Sequence, residues 1–228
     1  MSGLQTIIDN CNSIKFNRRN VVGTQFTRNE IPRVSQTPTK NPWKITVEMP
    51  NSFRYNDARA LMEEIDTLDT FNPQEITFSN NSKLSWIFRY QGLLSTAQLN
   101  ALTVVDYTGN ELILGGLPAV APSTVIFKKN DLIEIDTFPY PFTSQQDITR
   151  GSGGTITVTT SRPNIISSSV AGLGVTVGND CIFNVFSPNM PVYKLIPGGW
   201  QLSNGTTINN AYLEWSDNFY LYEWVATA

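Results

Sequence analysis

Between Pro42 and Pro50 the sequence reads WKITVEM, with Trp43, Ile45, Val47 and Met49 alternating against Lys44, Thr46 and Glu48. An apolar set of period two puts every second side chain on one face of an extended segment, so this stretch predicts a half-buried strand. The flanking prolines cannot donate to a sheet ladder and mark its ends. The alternation returns in TITVTTS over 155–161 and in AYLEWSDNFYLYEWVA over 211–226. There Tyr212, Glu214 and Ser216 oppose Leu213 and Trp215, and Phe219 and Leu221 oppose Tyr220 and Tyr222. NPQEITFSN and LSWIFRYQG read as further strands, TVIFKKNDLIEID as short strands with turns, and DYTGNELILGG as a hairpin turning at 108–110.

Helical period at length appears once. Ala58, Leu61, Met62, Ile65 and Leu68 form one stripe over 56–68, with Asn56 as N-cap and Asp57 at the positive end. A shorter helix is expected over 96–102, capped by Ser95. The predicted fold is therefore mainly β, antiparallel and sandwich- or barrel-like, with one packed α-helix giving the N-terminal part an α+β character. The Pro/Ala-rich run GGLPAVAPS at 115–123 suggests a boundary, dividing the chain into 1–116 and 117–228.

RGSGGT at 150–155 poses a question of chemistry. A phosphate cradle needs a buried strand before it and a helix after it, whereas here polar QQDITR precedes and β-branched TITVTTS follows. The glycines read instead as a hairpin tip reaching positive φ, with Arg150 beside it, and residues 150–154 are expected to project toward a neighbouring protein.

Histidine is absent from the whole sequence, which removes the commonest general base and metal ligand. Cys11 and Cys181 stand alone, without metal-ligand spacing, and read as reduced thiols. Glu63, Glu64, Asp66 and Asp69 share one expected helix and read as a solvated face, so carboxylate catalysis is disfavoured, with Glu63 and Asp131 the residues that would test it. The residues thus predict no catalytic group, cofactor or metal. Trp43, Trp86 and Trp215 take inward strand positions, while Trp200 in PGGWQLSNG stands in a loop open to a contact. The N-terminus carries no signal-peptide pattern, and no segment approaches the length of a membrane span, so the expectation is a soluble protein made in a cytosol.

Charge is unevenly divided. Residues 1–60 hold nine Lys/Arg against four Asp/Glu, net plus five, and residues 61–228 hold seven against fifteen, net minus eight. The basic residues lack the aromatic interleaving of a single-strand platform, so contact between copies is preferred to nucleic-acid binding.

NPWKITVEMP, NDARALMEEIDTL and EITFSN follow one another in an order that resembles the ring-forming domain of bacteriophage distal tail and baseplate hub proteins. The run NDLIEID with YPFTSQQDITRGSGGTITVTTSRPNI is similar to a small β-barrel module of tailed-phage minor tail proteins, and FSPNMPVYKLIP with EWSDNFYLYEWV resembles phage virion sequences. The resemblance implies a virion structural protein of the tail, made in the host cytoplasm, forming a homo-oligomeric ring between the tail tube and the hub, tip or fibre proteins, without membrane or nucleic acid as partner. The candidate interface residues are Arg18, Arg19, Arg28, Arg33, Arg150, Gly151, Gly153, Gly154 and Trp200. The alternatives are a carbohydrate-binding β-sandwich module or virion adhesin and, third, a glycosidase; the chain lacks the large carbohydrate-binding insertion of some family members.

Overall fold

The computed structural model describes residues 3–17, 22–26, 32–36, 42–48, 53–54, 59, 63, 73–80, 84–86, 88–166, 169–188, 193–196, 200–201, 204–205, 207–208, 212–215 and 219–224. Helix α1 (Gly3–Asn10) is followed by β1 (Ser13–Asn17), β2 (Val22–Phe26), β3 (Pro32–Gln36), β4 (Lys44–Glu48), β5 (Phe53–Arg54) and β6 (Gln74–Ile76). After helix α2 (Thr96–Leu99) come β7 (Thr103–Thr108), β8 (Glu111–Gly115), β9 (Val125–Phe127), β10 (Leu132–Ile135), β11 (Phe138–Thr143), β12 (Ile148–Thr149), β13 (Ile156–Thr159) and β14 (Val175–Val177). The last strands are β15 (Phe183–Phe186), β16 (Tyr193–Ile196), β17 (Trp200–Gln201), β18 (Thr207–Ile208), β19 (Tyr212–Trp215) and β20 (Phe219–Glu223). The protein is mainly β.

The chain forms two compact units. Unit one comprises Met1–Asn17, Trp43–Ile76 and Val185–Trp224, and unit two comprises Arg18–Pro42, Thr77–Asn184 and Val225–Ala228. In unit one the strand predicted from WKITVEM is β4, lying between β1 and β20 in a sheet ordered β1-β4-β20-β15-β6. Its alternation has the predicted effect: Ile45 and Val47 are buried with Phe219 and Leu221 of β20 and with Val185. Leu4, Ile7 and Ile8 recur at i, i+3 and i+4 in α1, and all three are buried. Glu223 is buried as well, its carboxylate accepting from the Trp43 amide at 3.0 Å. β19 lies between β16 and β5 in a second sheet.

Unit two builds its core from three small sheets. The hairpin predicted from DYTGNELILGG forms as β7 and β8, starting three residues earlier at Thr103; it turns at Gly109 with φ +59 and is extended by β13 through four register pairs from Ile156↔Leu114 to Thr159↔Glu111. β10 lies between β11 and β14, and β9 pairs with β12. Leu112, Leu114, Ile126, Phe127, Ile133, Phe142 and Val158 meet in one buried cluster. Each such side chain contributes about 1.5–3 kcal/mol by leaving water.

That cluster corrects the expected boundary at 116/117, because β8 before it and β9 to β13 after it share one core, with Leu117 and Val120 packed against it. A proline-rich run at the surface of a domain has the same local composition as a linker. The strand expected over 84–92 is a second correction: residues 84–86 and 88 form turns. Leu84 and Phe88 are buried, Phe88 packing on Phe78 and Phe183 with centroids 5.5 and 5.9 Å away, while Trp86 is 69% exposed rather than inward. The helix expected over 56–68 lies outside the described residues save for Arg59 and Glu63, which are helical, exposed and joined by a 3.3 Å ion pair. The shorter predicted helix begins where expected, with a reciprocal capping box between Ser95 and Gln98, and its helical residues end at Leu99 rather than 102.

Candidate interaction surfaces

The glycine loop and Arg150 are held differently from expectation. The flanking strands do not pair with each other: β12 pairs with β9 and β13 with β8, so 150–155 connects two sheets rather than closing a hairpin. Residues 151–155 are exposed, as a turn requires, but of the three glycines only Gly151 sits at positive φ, +61. Arg150 folds back onto the loop. Its Nη1 donates to the carbonyls of Gly151 at 3.2 Å and Gly153 at 2.6 Å, and its Nε to that of Pro118 at 3.1 Å. The Arg150 and Gly151 amides donate to the carbonyls of Thr124 and Pro122 at 2.8 and 3.0 Å. Three hydrogen bonds thus tie the loop to the 118–124 run and two more close it on itself, and the guanidinium faces carbonyl oxygens where a phosphate cradle would present amides. Removing the guanidinium in Arg150→Ala is expected to cost about 1–2 kcal/mol. Limited proteolysis within 151–154 should accelerate, and an unchanged cleavage rate would show that the arginine does not fix the loop.

Asp131 plays a similar internal part. It is 3% exposed, and its Oδ2 accepts from the Lys128 amide at 2.8 Å and its Oδ1 from the Gln91 amide at 3.0 Å, joining the 128–131 turn to a segment 40 residues earlier. Asn130 takes the left-handed conformation, φ +74, that this turn needs. Burial raises the Asp131 carboxyl above its ordinary 3.8, while its backbone donors pull it down. Exposed Asp147 accepts from Lys128 Nζ at 2.8 Å and the Lys129 amide at 2.9 Å, and these bonds lower its pKa.

The two carboxylates therefore act on stability with opposite signs. Asp131's contribution is fully present below pH 3.8 and is lost as pH rises through its raised value; Asp147's is present above 3.8 and is lost as pH falls through its lowered one. Urea midpoints from about pH 2 to pH 7 should show the advantage of wild type over Asp131→Asn shrinking with pH and that over Asp147→Asn growing. Parallel trends would refute the assignment.

Other polar groups of unit two bind backbone in the same way. The Tyr90 hydroxyl donates to the Ile126 carbonyl and accepts from the Leu94 amide at 3.3 Å, and burial pushes its pKa up to about 12. Tyr107, raised by burial, donates to the Arg162 carbonyl at 2.9 Å. Arg162 donates to the Pro141 carbonyl and lies 4.3 Å from the centre of the Tyr140 ring. Glu134 accepts from the Ile182 amide. Cys11 and Cys181 are buried thiols, and burial holds Cys181 well above the ordinary thiol range, so it stays protonated. Among the described residues no three His, Cys, Asp or Glu are grouped to hold a metal, and no helix is long and apolar enough to cross a membrane.

Among the described residues two surfaces stand out. A cavity of about 600 Å³ in unit two has Leu94, Leu99 and Val175 in its lining with Arg89, Asn100 and Asp180. On the unit-one sheet, the face opposite the core carries Lys44, Thr46, Tyr220, Tyr222 and Phe186, all half-buried, with Trp224 44% exposed beside them. Lys44 Nζ lies 3.6 Å from the centre of the Tyr220 ring and 5.6 Å from that of Tyr222. Phe186 packs on Tyr222 at 5.9 Å, tilted by 31°, and on Trp224 at 5.6 Å, edge to face at 86°. The sequence alternation sets Tyr220 and Tyr222 opposite Phe219 and Leu221 without joining them to Lys44, because that requires the antiparallel register Tyr222↔Lys44 between segments far apart in the chain.

Of the remaining predicted interface residues, Arg18, Arg19 and Arg28 lie outside the described residues. Arg33 is in β3, opposite Gln25 of β2, and its side chain is outside the described set. Trp200 is not in a loop: it begins β17 and pairs with Ile208 of β18, its side chain likewise undescribed. No protein-family model matches the sequence, and no curated protein matches it.

Proposed function

We propose that the chain is a non-enzymatic structural protein of a tailed-phage virion, forming a ring at the tail tip or baseplate hub that connects the tail tube to tip proteins. The observation that carries the structural role is the direction of the ionisable side chains in unit two. Asp131, Glu134, Arg150, Arg162, Tyr90 and Tyr107 all bond backbone groups of segments distant in sequence, an arrangement that fixes the shape of a surface. Rigid, preformed surfaces lower the ordering cost of association. The sequence resemblance to distal tail and hub proteins supplies the setting, and the division of charge between 1–60 and 61–228 suits contact between unlike surfaces of successive copies.

Electron microscopy of particles labelled with an antibody to this chain tests the reading, with label expected as a ring at the distal end of the tail. Label elsewhere, or hydrolysis of glycans or peptides by the purified chain that disappears in Glu63→Gln, overturns it. A second reading, a carbohydrate-binding module or adhesin, is favoured by the cavity bearing Arg89, Asn100 and Asp180, which offers both donors and acceptors to hydroxyls. Saturable binding of a defined oligosaccharide, lost in Asn100→Ala, would replace the first reading with this one.

A further inference from the structure

The outer face of the unit-one sheet is unusual for its position. A sheet with one face in the core ordinarily turns short polar side chains to water on the other. Here the β20 positions that alternate with buried Phe219 and Leu221 are both tyrosines, and Phe186 and Trp224 continue the aromatic row. The β1–β4 and β4–β20 registers put Lys15 in line with Thr46 and, one strand further, Tyr220, and Asn17 in line with Lys44 and Tyr222, so Lys44 lies over the rings and Lys15 stands on the same face one strand beyond it. Lys15 is exposed.

Ring geometry decides which partner suits this face. A stacking platform for sugars or bases needs ring faces open to solvent, but Lys44 lies over Tyr220, and Phe186, Tyr222 and Trp224 are tilted or edge-on to one another. What the group offers outward is hydroxyl, ammonium and indole donors around apolar edges. Its complement is a carboxylate beside an apolar side chain. Tyrosine and tryptophan are also the residues that most often carry protein interface energy.

Such a complement is present on the same chain. Register shifts between Val104 and Asp106 where β7 pairs with β8, and the bulge turns Val105 and Asp106 outward together, Val105 being 47% exposed. Among the described residues this is where an exposed large apolar side chain adjoins an exposed carboxylate in sequence. The Asp106 carboxylate is fixed by the Tyr107 amide at 2.8 Å and the Thr108 hydroxyl at 3.0 Å, and exposed Glu111 follows at the start of β8.

We propose that the aromatic and lysine face of the unit-one sheet binds the β7–β8 hairpin of a second copy of this chain, Lys15 and Lys44 meeting Asp106 and Glu111 while Val105 contacts the ring edges. The contact is heterologous, each copy using one surface to receive and another to insert, and it therefore propagates into a ring or filament. It rests on the reading of the chain as a self-associating structural protein and names the surfaces.

Sedimentation of the full chain and two charge-reversed variants tests it. Lys15→Glu with Lys44→Glu, and Asp106→Lys with Glu111→Lys, should each associate at least about tenfold more weakly than wild type, and an equimolar mixture should regain association because each reversed surface then meets an opposite one. Trp224→Ser, a milder change at an exposed position, should weaken association while leaving the circular dichroism spectrum unchanged. A wild-type chain that remains monomeric would overturn the self-associating reading itself. A wild-type chain that associates while the variants do so equally, or a mixture without recovery, would overturn this assignment of surfaces alone.

Discussion

Replacing Phe142 with alanine is expected to destabilise unit two by about 3–5 kcal/mol, the range for removing a fully buried aromatic ring. Phe142 is 1% exposed, stands opposite Ile133 in the β10–β11 ladder, and has its ring centroid 5.3 Å from that of Tyr107. The loss therefore exceeds the area of one ring. Tyr107 is the side chain whose hydroxyl holds the Arg162 carbonyl, and a void beside it loosens that bond as well. Amide exchange gives the clearest reading, since it resolves strands within one unit. Protection in β7, β8 and β10 should fall by roughly 10² to 10⁴, at 1.4 kcal/mol per decade. A loss below about 1 kcal/mol would mean that the cluster closes around the vacancy or that the ring is not central to it.

How much of this was legible from sequence depended on whether the signal was local. β4, β13 and β20 follow from alternation, the β7–β8 hairpin from its Thr-Gly-Asn turn, and the start of α2 from Ser95 as its cap. Helix α1 was missed although the signal is present: Leu4, Ile7, Ile8 and Cys11 form an i, i+3, i+4, i+7 stripe, all buried, in a segment read only for targeting features. LSWIFRYQG misled in the opposite direction. Leu84, Trp86 and Phe88 share the parity of a strand, but the outcome was set by an aromatic cluster that joins Phe88 to Phe78 nearby and to Phe183, remote in sequence.

Interactions that define the surfaces were illegible for the same reason. Arg150 reads locally as an exposed charge beside glycines, and its acceptor at Pro118 lies 32 residues away in a run that resembles a linker. Asp131 reads as an ordinary turn residue, and only the fold brings it the Gln91 amide. Hydrogen-bond partners separated by tens of residues leave no periodicity, so sequence marks the residue type and the fold assigns its task. Glycines divide along the same line: Gly154 meets open space and is not at positive φ, whereas Gly92 is required by a contact that its neighbours in sequence only half reveal.

That requirement makes Gly92→Ala the second large effect, about 2–4 kcal/mol against unit two. A Cβ at position 92 would lie well inside 3.0 Å of the Tyr90 hydroxyl, the Tyr90 ring and the Ile126 carbonyl oxygen, an approach that real Cβ atoms essentially never make. The carbonyl belongs to β9 and cannot swing aside, so either the 90–94 segment lifts or the Tyr90 hydroxyl leaves Ile126. The second course also strips the Leu94 amide of the oxygen it donates to. Tyr90→Phe separates the two contributions. Alone it should cost about 0.5–1.5 kcal/mol, the usual net value of one hydrogen bond. In the double variant the missing hydroxyl removes one of the clashes with the new methyl, so the combined loss should fall short of the sum by about 1 kcal/mol while remaining well above zero, because the ring at position 90 and the Ile126 carbonyl are still in the way. Urea midpoints for the two single variants and the double one measure the coupling directly. Additivity within about 0.3 kcal/mol would show that Gly92 and Tyr90 do not meet.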